Sequence, residues 1–155
     1  MKTFSINELE SRFEQARLKF KNFLEKNNNR KTPERFAILK EIYMNQHHFD
    51  AEALYIKMKQ NAYRVSRATI YNTLDILVEC DLIQRHQFGH NKTLYERAHG
   101  FEPHNHIICT NCGKIMEFID TRIDDIVKEH SLMSHVNMES HSMNIYGLCD
   151  KCNET

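Results

Sequence analysis

Residues 66–97 read SRATIYNTLDILVECDLIQRHQFGHNKTLYER, and the change of period inside this stretch decides the fold. From Arg67 to about Cys80, Ile70, Leu74, Leu77 and Val78 recur at helical spacing behind Ser66, a hydroxyl suited to capping the helix N-terminus. After Asp81 the pattern alternates, and LIQRHQF, a GHNK turn and TLYER predict a two-stranded hairpin. Upstream, Thr32-Pro33 opens a helix through about Met44, with Phe36, Ile38, Leu39 and Ile42 inward. Asp50 caps a further helix, AEALYIKMK. Three helices and then a hairpin is the order of a winged helix-turn-helix, with helix 67–80 in the major groove and residues 84–97 as the wing. Before them, residues 5–26 read as an amphipathic helix carrying Leu9, Phe13, Ala16, Leu18, Phe20, Phe23 and Leu24 on or near one stripe. Asn27-Asn28-Asn29 ends it.

Residues 98–105, AHGFEPHN, contain Gly100 and Pro103 and read as a hinge. Beyond them a strand (HIIC), a knuckle (TNCG), a strand (KIMEF), a helix at about 120–130 and a long strand over about 135–148 predict a small α/β domain. The expected class is therefore α+β, with a winged-helix domain at 1–97, a hinge at 98–105 and a second domain at 106–155. Four of the five cysteines fall in that second domain, as Cys109-x-x-Cys112 and Cys149-x-x-Cys152. Two such clips can complete a tetrahedral four-sulfur zinc shell with no open position, which makes the metal structural. Redox thiols and disulfides are the competing readings.

The chain of 155 residues has zero formal net charge, but the charge is unevenly placed. Residues 1–98 carry 17 Lys/Arg against 12 Asp/Glu, while residues 99–155 carry 4 against 9. A basic half joined to an acidic, Cys- and His-rich half suggests polyanion contact by the first, although lysine-rich helices are commonly solvated surface. Apolar content is 41% and the apolar runs are too short to cross a membrane. MKTFSINELESRFEQ has no apolar signal core, so a cytoplasmic protein is expected, and there paired cysteines favour zinc over disulfides.

On the helix opened by Ser66, the exposed N-terminal face would present Arg67, Thr69, Tyr71 and Asn72 to base edges, thymine methyls and phosphates. Arg30, Lys31 and Arg35 are candidate phosphate or minor-groove contacts. The bland alternative is a solvated helix with a buried tyrosine. A second constellation is His104-x-His106 with Glu117, Glu96 and His48. Histidines at i and i+2 of an extended segment point to one side, and a mixed N/O set suits Fe(II), Mn(II), Zn(II) or Co(II). Scattered surface histidines are the alternative. Cys80 reads as buried core, and His47, His86, His90, His99, His130 and His135 have no evident partner. A hydrolase would be the natural enzyme for a His/Glu cluster, but no HExxH helix, nucleophile elbow or glycine-rich phosphate loop is present, so no enzymatic activity is expected.

The motifs TPERFAIL (32–39), HHFDAEALY (47–55), RATIYNTLDIL (67–77), LYE (94–96), HNHIICTNCGKIMEF (104–118) and HSMNIYGLCDKC (141–152) resemble, in order and spacing, the ferric uptake regulator family of bacterial metal-dependent repressors. The resemblance runs from about Arg30 to Cys152. It implies a structural zinc on the four cysteines and a regulatory site of His48, Glu96, His104, His106 and Glu117 between the winged-helix and dimerisation domains. It also implies a homodimer, paired through the strand at 135–148, on an AT-rich palindromic double-stranded operator, with Tyr71 on thymine. No membrane and no small organic substrate is implied. Of a further four-ligand site found in some members, Asp124 and His141 match two positions, while Pro103 and Asn105 stand where histidine and aspartate are common. Peroxide-sensing relatives typically carry aspartate where this chain has Glu96 and Glu117, so the resemblance favours an Fe(II)-responsive repressor of iron uptake, with Mn(II), Co(II) or Zn(II) able to substitute. Peroxide-sensing and zinc- or manganese-responsive members are the nearer alternatives. A zinc-ribbon module without DNA function is the remote one.

Overall fold

The computed structural model describes residues 4–45, 47–88, 92–98, 104–138 and 141–153. The chain divides into two units, Lys2–Phe101 and Glu102–Thr155. The expected hinge at 98–105 falls largely outside the described residues, as does the tip of the wing, 89–91.

In the first unit, helix α1 (Ile6–Lys26) starts at a capping box. Ser5 Oγ accepts from the Glu8 backbone N–H, and the Glu8 carboxylate accepts from Ser5 N–H. One stripe of α1, made of Leu9, Phe13, Ala16, Phe20 and Leu24, is buried. Leu18 corrects the expected stripe: it is 59% exposed, because it lies off the i, i+3/i+4, i+7 series that the other five obey. Helix α2 (Pro33–Met44) begins with proline at N1, but the Thr32 side chain makes no capping bond. Helix α3 (Ala51–Gln60) is capped by Asp50, whose Oδ1 accepts from Ala53 N–H at 2.7 Å. Helix α4 (Arg67–Glu79) is capped by Ser66, whose Oγ accepts from Thr69 N–H at 3.1 Å. Ile70, Leu74 and Leu77 of α4 meet Ile38, Leu39 and Ile42 of α2, Met58 of α3 and Phe20 of α1 in one core.

The wing is the antiparallel pair β1 (Ile83–Phe88) and β2 (Lys92–Arg97), in register His86↔Leu94 and Gln84↔Glu96. Lys92 belongs to the strand and not to a four-residue turn, a one-residue difference from the expected hairpin. A bridge between Phe49 and Tyr95, closed by N–H···O bonds of 3.1 and 2.8 Å, adds the residue before Asp50 to the outer edge of β2. Helices α2–α4 with this hairpin make the winged helix-turn-helix.

In the second unit, β3 (Asn105–Cys109) is the centre of a three-stranded sheet. It pairs antiparallel with β4 (Ile115–Phe118) and parallel with β5 (Asn144–Gly147). Helix α5 (Thr121–Ser134) runs about a turn further than its sequence suggested and ends on His135 in the left-handed region, φ 55°. The long strand expected at 135–148 is corrected: it cannot start at His135, which is the left-handed C-cap of α5, and among the described residues strand pairing runs over Asn144–Gly147. Helix α5 buries no residue and β5 is exposed along its length. A short helix, α6 (Asp150–Asn153), follows. No helix among the described residues is long and apolar enough to cross a membrane.

Candidate metal and DNA-binding sites

The four cysteines of the two clips converge. The first clip is a tight knuckle between β3 and β4, closed by Cys109 N–H to Lys114 O and by Gly113 N–H to Cys109 O, both 2.9 Å. Gly113 holds φ 71°, a conformation that a residue with a Cβ resists. The second clip is delivered by β5, whose Gly147 pairs with Cys109 and accepts from Thr110 N–H at 2.8 Å. As a result, one sulfur of each cysteine lies within 4.8 Å of the other three. All four are free thiols, and Cys112 Sγ is 3.8 Å from Cys149 Sγ. With Zn–S of about 2.3 Å, the edge of a tetrahedral ZnS4 unit is about 3.8 Å, so the donor set fits that ion. The backbone N–H groups of Cys112 and Cys149 pull the Cys109 thiol down to about 6, while its bond to Cys149 pushes Cys152 up to about 12. The Cys109 thiolate is thus prepared by the fold, whereas Cys152 would need a bound cation to ionise.

A separate donor group forms where the segment before α3 meets the wing. The Phe49–Tyr95 bridge places His48 directly opposite Glu96, and His48 Nε2 lies 3.1 Å from Glu96 Oε2. His86, two residues along β1 from Glu96's partner Gln84, shares that face, and its Nε2 lies 2.5 Å from Glu96 Oε1. All three side chains are largely buried. Sequence reasoning left His86 unassigned.

In the second unit, His104 and His106 flank the buried Asn105, and His106 is paired across the sheet with Glu117. The two imidazoles have centroids 4.9 Å apart, and His104 Nε2 is 4.0 Å from Glu117 Oε1. The chain therefore brings His48 to Glu96 within one unit, and His104, His106 and Glu117 together within the other. His141 Nε2 lies 3.6 Å from Asp124 Oδ1. Asn105 turns to a structural task, its Oδ1 accepting from Met143 N–H at 3.2 Å, and Pro103 lies outside the described residues.

On α4, Tyr71 is 50% exposed and Asn72 is exposed beside it. Arg67 does not project freely: Nε and Nη2 donate to both oxygens of Glu52, at 2.9 and 2.6 Å, over the Tyr55 ring. Thr69 Oγ1 is 2.9 Å from Ser66 Oγ. Arg35 Nη1 donates to Arg30 O at 2.6 Å, bracing the entry to α2, and Lys31 pairs with Glu25.

The sequence pattern of the Ferric uptake regulator family matches residues 26–146, which is most of the chain. The chain belongs to the ferric uptake regulator family. Its relatives include the ferric uptake regulation protein of Campylobacter jejuni, 36% identical over 142 residues and 87% of each chain. Another is the peroxide-responsive repressor PerR of Staphylococcus saprophyticus, 32% identical over 84% of this chain and 87% of that one. Among solved structures, the Helicobacter pylori ferric uptake regulator, with three functional metal-binding sites, superimposes with a TM-score of 0.77 at 28% identity, covering 100% of this chain and 99% of that one. Members of this family are metal-responsive transcriptional regulators, and the clustering of four sulfurs in the second unit accords with that membership.

Proposed function

We propose that this family member is a cytoplasmic, Fe(II)-dependent repressor of iron-uptake genes that binds AT-rich palindromic operators as a homodimer. The observation that carries the reading is the division of donors into two chemically different sets. Cys109, Cys112, Cys149 and Cys152 would hold a structural zinc in a saturated all-sulfur shell. His48 before α3 and Glu96 on the wing, with His104, His106 and Glu117 on the other unit, would share one regulatory ion, for which imidazole and carboxylate suit Fe(II), Mn(II), Co(II) or Zn(II). The 3.1 Å between His48 Nε2 and Glu96 Oε2 supports it, because two donors about 2.1 Å from one ion at right angles lie about 3.0 Å apart.

Such an ion would tie a DNA-binding domain at 1–97 to a dimerisation domain at 106–155 across a hinge at 98–105. It would select the arrangement able to bind DNA, so that metal and operator strengthen each other's binding by the same factor. Exposed α5 and β5 offer a second copy exposed apolar side chains, among them Ile126 and Met133 on the helix and Ile145 and Tyr146 on the strand. Arg30, Arg35, Ser66, Arg67, Thr69, Tyr71 and Asn72 would contact the operator, Tyr71 on thymine. Asp124 and His141, two donors only, would form at most part of a further site.

An anaerobic titration of operator binding with Fe(II), Mn(II) and Zn(II) tests the proposal. Tightened binding that Glu96→Ala and His104→Ala abolish is expected. Binding unchanged by metal overturns it. The family also includes peroxide-responsive repressors, so the iron-loaded protein should be exposed to peroxide as well. Intact-mass addition of oxygen at His48 or His104 would move the assignment to that subgroup.

A further inference from the structure

His86 lies outside the five-residue regulatory set, yet it makes a direct polar contact to one of its carboxylates. It is 8% exposed, and its Nε2 is 2.5 Å from Glu96 Oε1, while His48 Nε2 is 3.1 Å from Glu96 Oε2. The two separations mean different things. Neighbouring donors on one octahedral ion lie about 3.0 Å apart, which the His48 contact meets and the His86 contact falls well below. The second is a direct imidazole–carboxylate hydrogen bond, shorter than the usual N–H···O distance and too short for two donors that share an ion. An ionised carboxylate can only accept, so the imidazole Nε2–H is the donor. The fold enforces the pairing: register Gln84↔Glu96 puts His86 diagonally opposite Glu96 on the same face of the hairpin, and the Phe49–Tyr95 bridge puts His48 on its other side.

We propose that His86 is a positioning residue for the regulatory metal: it occupies Glu96 Oε1 and thereby fixes the carboxylate as a one-oxygen ligand with Oε2 turned to the ion. This rests on the regulatory site proposed above. Ligating carboxylates are themselves held by hydrogen bonds, and removing such a partner costs about 10–100-fold in metal affinity.

The test measures Mn(II) affinity of the full-length, zinc-loaded protein by competition with a fluorescent chelator, with zinc content and melting temperature followed in parallel. Expected is a loss of about 10–100-fold for His86→Phe, which lacks the donor, with zinc content unchanged. His86→Gln, which keeps an N–H donor, should recover most of it. In a Glu96→Ala background His86→Phe should cost nothing further, because the group it positions is gone. Should the phenylalanine variant fail to fold, His86→Leu carries the same arm. If Glu96→Ala weakens Mn(II) binding while His86→Phe leaves it within about threefold, the inference fails and the regulatory site stands. Equal losses for the phenylalanine and glutamine variants, or additive losses in the double variant, also overturn it. If neither Glu96→Ala nor His86→Phe alters Mn(II) binding, the regulatory site itself falls, and this inference with it.

Discussion

Arg67, the first residue of α4, is held by both carboxylate oxygens of Glu52 from α3 and stacks 4.2 Å over the Tyr55 ring. Glu52 holds the guanidinium's affinity for its proton above the usual arginine range, and Arg67 draws the carboxyl below the usual range. Both side chains are about half exposed, so the pair is weak enough for a DNA phosphate to displace the carboxylate. Arg67→Ala is expected to weaken operator binding and to lower the salt dependence by about one unit of log–log slope. Glu52→Gln should tighten binding at low salt, the gain fading as salt is raised, because a competing negative charge has been removed beside the phosphates. Anisotropy titrations across a salt series check both, and a Glu52→Gln protein that binds more weakly would show that Glu52 presents Arg67 to DNA and does not restrain it.

Zinc removal should act on one unit first. Among the described residues of the second unit, only Asn105, His106, Ile108 and Cys109 are buried, and α5 contributes none. Cross-linking by the metal has to replace a core, and structural zinc is worth about 10–16 kcal/mol in small peptides. Cys149→Ser is expected to lose bound zinc and to open residues 104–153 to protease. The Phe20–Leu39–Leu77 core of the first unit should keep its cooperative melting. Protons compete with the metal for the thiolates, so lowering the pH should release zinc in the wild type as well. Metal analysis with limited proteolysis reads both outcomes.

Burial pushes the Cys80 thiol up to about 11 and raises the Tyr43 phenol as well. The Tyr43 hydroxyl donates to Leu82 O at 3.0 Å in the same core. Folding favours the protonated form of each. That contribution is fully present below the unfolded thiol value of about 8.5, and the Cys80 part is lost as pH rises through about 11. Melting temperature is therefore expected to fall between pH 9 and 11, less steeply in Cys80→Val, which has no thiol to ionise. At pH 8 Cys80 should resist thiol reagents until the protein is unfolded. Rapid labelling of Cys80 in the native state would contradict its placement.

The elements were legible where a local signal and the tertiary demand agreed. Asp50 and Ser66 each cap the helix that their position predicts, and the two Cys-x-x-Cys clips meet. The role of His86 was hidden by a single residue of register. A four-residue GHNK turn would set Phe88 beside Thr93 and put His86 and Glu96 on opposite faces. The observed pairing Phe88↔Lys92 puts them on one face, since a slip of one residue inverts every side chain of a strand. Arg67 and Glu52, fifteen residues apart on different helices, gave no periodic signal at all. The strand expected at 135–148 was drawn too long because alternation in a short segment does not reveal a helix cap, and His135 takes the left-handed conformation that ends α5.

Leu18 and Phe20 make a controlled comparison on one helix. Phe20 is fully buried, edge-to-face with Phe36 at 5.5 Å between centroids, whereas Leu18 faces solvent two residues away. Helix α1 is thus part of the first unit's core and not an appendage to it. Phe20→Ala should destabilise that unit by about 3–5 kcal/mol, the loss of transfer energy plus the cavity left between α1 and α2. Leu18→Ala should fall within about 0.5 kcal/mol of the wild type, since alanine is also the better helix former and little apolar area is returned to water. Urea unfolding followed by far-UV circular dichroism measures both. Similar costs for the two substitutions would mean that Leu18 is covered in solution, with a second copy of the chain the first place to look.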